Sequence, residues 1–191
     1  MDATAIWSTR ANALTLVRLL LAPAFAAAVL DRAPVFATAL FFLAVGTDLA
    51  DGWVARRYGE ETPFGGFADH AADAIFVVTG TAALARTGVL PAPLPWLIAA
   101  AFLQYALDSR ALTASGLFPS RLGRWNGIAY YVIAAIPIVR DALALVWPGP
   151  DLLRALGWAL IASTAVSMAD RLQTWRRRLR PEAGNPDHRS Q

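Results

Sequence analysis

The sequence contains no cysteine among its 191 residues. Disulfide bonds, thiolate catalysis and cysteine-ligated zinc or iron–sulfur centres are therefore excluded. Any metal ion that the chain holds must be bound through oxygen atoms or histidine nitrogens.

Lysine is also absent, because all 17 basic residues are arginine. The formal net charge of +3 is too small for a nucleic-acid-binding protein unless the charge is concentrated. The densest group follows the last apolar segment and consists of Arg176, Arg177, Arg178 and Arg180. Such a group is typical of a cytoplasmic anchor against anionic lipid headgroups, so the expected partner is a lipid bilayer and not a nucleic acid.

Charged residues are scarce, at 16%, whereas hydrophobic residues make up 57% of the chain. This composition and the long charge-free runs predict an all-α integral membrane bundle of six transmembrane helices. The transmembrane domain would be 12–175, preceded by an interfacial segment at 1–11 and followed by a basic, disordered cytoplasmic tail at 176–191. Six crossings put both termini on one side, which also holds most of the arginines and is therefore the cytoplasmic side. The arginines predicted on the opposite side are Arg32, Arg86, Arg140 and Arg154.

Four carboxylates, Asp48, Asp51, Asp69 and Asp73, interrupt the apolar pattern. The charge-free run at 33–47 is shorter than the roughly 20 residues that cross a bilayer, so the second helix must continue through the first two acids. The same length argument places the other two in the third helix. Spacings of three and four residues put each pair on one helix face, so adjacent helices can direct all four acids at one another.

Four acids at the cytoplasmic end of a membrane bundle require a cation, because each acid near hydrocarbon costs roughly 2.5 to 3.5 kcal/mol. Carboxylates favour Mg²⁺, Mn²⁺ or Ca²⁺. Two such ions could clamp the attacking and leaving oxygens of a displacement at phosphorus. The residues alone also fit an ion- or proton-coupled carrier, or a Mg²⁺-dependent membrane prenyltransferase.

The acidic stretch reads Asp48-x2-Asp51-Gly52-x2-Ala-Arg56-x8-Gly65, followed by x3-Asp and x3-Asp, the last being Asp69 and Asp73. It resembles, at all eight fixed positions, the signature of the CDP-alcohol phosphatidyltransferases, membrane enzymes of phospholipid synthesis. The resemblance implies transfer of a phosphatidyl group from a CDP-alcohol, most commonly CDP-diacylglycerol, to an alcohol acceptor with release of CMP. It also implies a homodimer in the bacterial cytoplasmic membrane.

The resemblance further implies a role for each motif residue. Two ions, Mg²⁺ or Mn²⁺, would be held, one by Asp48, Asp51 and Asp69 and the other by Asp48, Asp69 and Asp73. The CDP portion would contact Gly52, Arg56 and Gly65. Asp73 would be the general base that takes the proton from the acceptor hydroxyl, which attacks the β-phosphorus of the CDP-alcohol.

A polar stripe on the first helix consists of Asn12, Thr15 and Arg18. It resembles the first-helix pattern of the branch that contains phosphatidylglycerophosphate and cardiolipin synthases. Arg18 could meet a phosphate there. The residues alone fit equally well a helix cap and an anchoring arginine.

The identity of the acceptor alcohol is the part of the reaction that the sequence determines least. Arg110, Arg121 and Arg124 lie on the predicted cytoplasmic side and could bind an anionic acceptor or anchor the chain. The segment 123–126 resembles the Gly-Lys element of the same branch, with Arg124 and Asn126 as departures. Glycerol 3-phosphate is the first expectation; phosphatidylglycerol, inositol phosphate, serine and an amino alcohol remain open.

Overall fold

The computed structural model describes residues 10–58, 63–111 and 121–179, and these residues form α-helices joined by short turns, without a β-strand among them. The all-α prediction is therefore confirmed for this part of the chain. The six helices are α1 (Arg10–Leu30), α2 (Pro34–Tyr58), α3 (Pro63–Arg86), α4 (Leu94–Ala111), α5 (Arg121–Ala142) and α6 (Pro150–Leu179).

Local sequence explains where several helices begin and end. Proline is the first residue of three of them, Pro34, Pro63 and Pro150, because its fixed φ suits a helix start and its missing N–H is not needed there. Shortly after the end of α3, Gly88 adopts a φ of 78°, which stops the helix.

The helices are longer than the charge-free runs suggested. α2 continues through Asp48 and Asp51, as the length argument predicted. Helix α4 ends at Ala111 and α5 begins at Arg121, so Arg110 and Arg121, which the sequence placed on the cytoplasmic side, are helical residues. The first residues of the predicted tail are also helical, since α6 reaches Leu179, whereas 1–9 and 180–191 lie outside the described residues.

Large apolar side chains are exposed on every helix, which suits a surface that faces lipid. Examples, in chain order from α1 to α6, are Leu20, Val35, Ile75, Leu103, Val132 and Val166. Two helical stretches among the described residues are long and apolar enough to cross a membrane, Leu122–Ala142 and Pro150–Thr174. Shorter apolar stretches occur at Leu14–Leu30, Pro34–Ala50 and Leu94–Leu107.

Helix α1 packs against both α2 and α3. Phe25 of α1 is fully buried, and its ring stacks on Phe76 of α3 with the ring centroids 5.0 Å apart. Phe41 of α2 completes this aromatic cluster. A Cβ atom at Gly80 would overlap the ring of Phe25, so glycine is needed at this contact between α3 and α1. The same pair of helices brings Arg18 of α1 to Asp69 and Asp73 of α3.

Candidate active site

Three of the four predicted acids meet at one point. One carboxylate oxygen each from Asp48 of α2 and from Asp69 and Asp73 of α3 lie within 4.8 Å of one another. The last two are one helical turn apart, so they share a face of α3 that is turned toward α2. Their side chains are partly accessible, with exposed fractions of 38%, 28% and 21% in chain order. Asp51 lies in α2, but its side chain is outside the described part of the structure.

Arg18 joins the acids from the first helix. Its Nη1 atom lies 2.7 Å from Oδ1 of Asp69 and 2.8 Å from Oδ1 of Asp73, and its Nη2 atom lies 3.1 Å from Oδ1 of Asp48. The residue is fully buried. A buried charge must be paired, and here one guanidinium is paired with three carboxylates.

The position of Arg18 refines the expectation for the polar stripe of α1. The sequence suggested a phosphate as its partner, whereas the partners in the structure are acids. Thr15, one turn earlier, is also buried. The side chain of Asn12 lies outside the described residues.

The acidic cluster has the donor chemistry of a divalent-cation site. Its ligand atoms are hard carboxylate oxygens from two helices, gathered closely enough for one ion to contact all three. The guanidinium of Arg18 carries one positive charge against three negative ones, so a doubly charged cation would balance the remainder. Asp48, Asp69 and Asp73 therefore fit Mg²⁺ or Mn²⁺.

Tyr131 of α5 is a site residue that was not predicted from the sequence. Its hydroxyl donates a hydrogen bond of 2.8 Å to Oδ1 of Asp73. Its ring is stacked on that of Phe76, with the ring centroids 6.4 Å apart, and lies edge-on to the ring of Phe41, with the centroids 6.1 Å apart. A tyrosine in an apolar helix needs a partner for its hydroxyl, and this requirement was the available signal. The partner could not be identified without the packing of α5 on α2 and α3.

A cavity of about 510 Å³ opens beside the acids. Asp48, His70 and Asp73 line it from α2 and α3, and the other lining residues belong to α4, α5 and α6. Two arginines line this cavity, Arg124 of α5 and Arg171 of α6. The volume suits a small polar molecule, and the arginines favour an anionic one.

Three side chains that line the cavity are stacked on one another. The ring of His70 stacks on Tyr105 with centroids 5.7 Å apart, and the guanidinium carbon of Arg171 lies 5.4 Å from the centre of the Tyr105 ring. Arg171 is thus held by a cation–π contact next to α3. The sequence alone does not distinguish this arginine from the others, because its position depends on the contact between α4 and α6.

The remaining predicted residues fall outside the described side chains. Gly52 and Arg56 lie in α2, and Gly65 lies in α3, close in sequence to the acids. Arg110 and Arg121 lie at the end of α4 and the start of α5. Of the three arginines proposed for the acceptor, Arg124 is the one whose side chain is described, and it lines the cavity.

Comparison with known proteins agrees with the sequence signature. The sequence model of the family described as CDP-alcohol phosphatidyltransferase matches residues 8–169. A probable phosphatidylglycerophosphate synthase of Mycobacterium tuberculosis (strain ATCC 25618 / H37Rv) is 33% identical over 144 residues, covering 72% of this chain and 68% of the relative. The CDP-diacylglycerol–glycerol-3-phosphate 3-phosphatidyltransferase of Cereibacter sphaeroides is 34% identical over 135 residues, covering 65% and 61%. The protein of the same description in Sodalis glossinidius is 28% identical over 162 residues, covering 80% and 85%.

Proposed function

We propose a specific reaction for this chain from one premise: the chain belongs to the CDP-alcohol phosphatidyltransferase family. It is accordingly an enzyme that transfers substituted phosphate groups. The proposed reaction transfers the phosphatidyl group of CDP-diacylglycerol to glycerol 3-phosphate and releases CMP. The observation that carries it is a cavity that is lined both by two arginines and by two of the clustered acids, Asp48 and Asp73.

The acids would hold the catalytic cations. One ion would be bound by Asp48, Asp51 and Asp69 and a second by Asp48, Asp69 and Asp73, following the family signature. Divalent ions at such a position supply charge neutralisation for the diphosphate and for the leaving CMP. Gly52, together with Arg56 and Gly65, would contact the CDP portion.

Asp73 would act as the general base. Its carboxylate takes the proton of the acceptor hydroxyl, and the acceptor oxygen forms a bond to the β-phosphorus of the CDP-alcohol. The bond from that phosphorus to the bridging oxygen breaks, and CMP leaves with the electron pair. The hydrogen bond from Tyr131 and the contact with Arg18 hold Oδ1 of Asp73, so the proton would go to Oδ2.

The acceptor would occupy the cavity with its phosphate toward Arg124 and Arg171. Both side chains line that cavity, and relatives that cover most of this chain are named for glycerol 3-phosphate. Further candidates for phosphate or acceptor contacts are Asn12, Thr15, Arg18, Arg110 and Arg121. Phosphatidylglycerol, inositol phosphate, serine or an amino alcohol are the competing acceptors.

The membrane arrangement is part of the proposal. Six spans would bring the acids to the cytoplasmic end of the bundle, where the water-soluble acceptor is available. Two spans meet the length and apolarity requirement directly, and the exposed apolar side chains on all six helices support the others. A homodimer in the bacterial cytoplasmic membrane follows from the family resemblance.

An acceptor screen tests the function. The protein in liposomes is supplied with radiolabelled CDP-diacylglycerol, Mg²⁺ or Mn²⁺, and one acceptor at a time, and CMP and the lipid product are measured. CMP is expected only when donor, acceptor and metal ion are all present, with phosphatidylglycerophosphate as the main product. A different lipid product would show that the acceptor is not glycerol 3-phosphate. CMP release without any acceptor would contradict the transfer reaction.

A further inference from the structure

Two amide side chains in the wall of the cavity each have one buried polar atom without a hydrogen-bond partner among the described residues. Asn126 of α5 is only 4% exposed, and half-buried Gln104 lines the same cavity from α4. Neither Nδ2 of Asn126 nor Oε1 of Gln104 has a hydrogen-bond partner among the described residues. Buried polar atoms normally find partners, so an unpaired donor and an unpaired acceptor in one cavity require an explanation.

The other polar atom of each amide group already has a hydrogen-bond partner, so the atoms left without one are Nδ2 of Asn126 and Oε1 of Gln104. Oδ1 of Asn126 accepts a hydrogen bond of 2.6 Å from the hydroxyl of Ser163. Nε2 of Gln104 donates one of 3.1 Å to the main-chain oxygen of Met168. Both partners belong to α6. Helix α6 therefore holds both side chains. Asn126 retains an N–H donor, and Gln104 retains a carbonyl acceptor.

A hydroxyl group is the chemical group that complements this pair. Its oxygen accepts a hydrogen bond from an amide N–H, and its hydrogen is donated to a carbonyl oxygen. Asn126 and Gln104 are uncharged, so they do not compete with Arg124 and Arg171 for a phosphate. The cavity thus combines cationic side chains with a neutral pair suited to an alcohol.

We propose that Asn126 and Gln104 form a hydroxyl-binding subsite that selects acceptors with a second hydroxyl group, besides the one that attacks phosphorus. This subsite rests on the proposed function, and for glycerol 3-phosphate it would bind the secondary hydroxyl. Specificity follows because an acceptor without that hydroxyl leaves both amide atoms unpaired.

The test compares two acceptors that differ by this hydroxyl group. Glycerol 3-phosphate and 3-hydroxypropyl phosphate both carry a primary hydroxyl and a phosphate, but the second lacks the secondary hydroxyl. CMP release from CDP-diacylglycerol with Mg²⁺ gives kcat/KM for each. The wild-type protein is expected to prefer glycerol 3-phosphate by about tenfold or more.

Two substitutions of similar size remove the amide groups, Asn126→Leu and Gln104→Met. In each variant the ratio of kcat/KM for the two acceptors is expected to fall close to one, mainly because KM for glycerol 3-phosphate rises. Thr81→Val is the matched control: Thr81 is fully buried in α3, and its hydroxyl is bonded to the main-chain oxygen of Val77. It is expected to keep the wild-type preference. Because both acceptors are measured on the same preparation, the ratio does not depend on the folded fraction.

The outcomes separate the subsite from the function on which it rests. Equal use of the two acceptors by the wild-type protein, or an unchanged preference in both variants, overturns the subsite and leaves the transferase reaction intact. Absence of CMP release with either phosphate, when another alcohol supports release, overturns the proposed acceptor and the subsite together.

Discussion

The hydroxyl of Tyr131 donates a 2.8 Å hydrogen bond to Oδ1 of Asp73, across 58 residues of sequence. Arg18 contacts the same oxygen at 2.8 Å. Donors from α5 and α1 therefore converge on one atom of the proposed base, and they orient the carboxylate before any acceptor arrives. Orientation of a base in this way lowers the barrier of the chemical step more than it affects binding.

Replacement of Tyr131 by phenylalanine tests this orientation. We expect kcat to fall by roughly tenfold, consistent with the loss of one hydrogen bond to a charged group, while KM for both substrates changes little. Tyr130→Phe is the adjacent control, because its hydroxyl is bonded to Thr164 at 2.9 Å and not to Asp73. Steady-state kinetics of CMP release measure both variants. Equal losses of kcat in the two would show that the Asp73 contact has no special role.

Replacement of Asp73 by asparagine tests the base itself. The amide cannot accept the acceptor proton, so we expect CMP release to fall by about 10²- to 10⁴-fold. Binding of Mn²⁺, followed by electron paramagnetic resonance, should survive in part because Asp48 and Asp69 remain. Asp151→Asn, at an almost fully exposed acid of α6, is the control and should behave as wild type. Normal turnover by Asp73→Asn would refute the assignment.

The meeting of the acids was predictable because it depends on local periodicity. Spacings of three and four residues fix a common helix face, and the shortness of the run before Asp48 forces α2 through the motif. The structure brings Asp48, Asp69 and Asp73 together as predicted. Family membership agrees with the same spacing and decides against the carrier and the prenyltransferase.

The contributions of α4, α5 and α6 were not predictable in the same way. Tyr131, Arg171 and Gln104 acquire their roles from contacts between helices that are far apart in sequence. An apolar helix of a membrane bundle carries no strong periodic signal that identifies its inward face. The position of Arg18 among acids depended likewise on how closely α1 approaches α3.

Arg18 should contribute to folding as well as to the site. Arg18→Gln leaves three carboxylates together without their buried cation, and we expect a loss of about 3–5 kcal/mol in the free energy of unfolding. Added Mg²⁺ should raise the melting temperature of this variant more than that of the wild type, because the ion replaces the missing positive charge. Thermal unfolding in detergent, with and without Mg²⁺, measures both effects.

The control for that experiment is Arg154→Gln. Arg154 is 55% exposed and lies 3.5 Å from Asp151, so its loss should change stability by less than about 1 kcal/mol. Identical destabilisation of the two variants, or an equal response to Mg²⁺ in Arg18→Gln and wild type, would contradict the role given to Arg18.

The close approach of α1 and α3 gives a prediction at Gly80. Gly80→Ala places a methyl group on the fully buried ring of Phe25, and we expect destabilisation by about 1–3 kcal/mol. Gly46→Ala is the opposite case, because a Cβ atom in the helix α2 would meet nothing within 4 Å there. That variant should be more stable by roughly 0.5–1 kcal/mol, since alanine favours a helix. Melting temperatures that move in the same direction would disprove the packing argument.

Arg124 and Arg171 are expected to act on the acceptor and not on the donor. Each lines the cavity beside Asp73, and each would lose a charge-assisted contact with the acceptor phosphate on replacement by alanine. We expect KM for glycerol 3-phosphate to rise by roughly 10- to 100-fold in each variant. KM for CDP-diacylglycerol should rise far less, because the donor phosphates would lie at the metal ions and at Arg56.

Arg176→Ala is the matched control for these two arginines, because Arg176 is an exposed residue further along α6. It should leave both KM values near those of the wild type if its role is to anchor the helix at lipid headgroups. A comparable rise in KM for donor and acceptor in Arg124→Ala would identify Arg124 as an anchor too. Of the two cavity arginines, Arg171 would then be the one left to bind the phosphate, since its cation–π contact with Tyr105 holds it at the cavity independently of lipid.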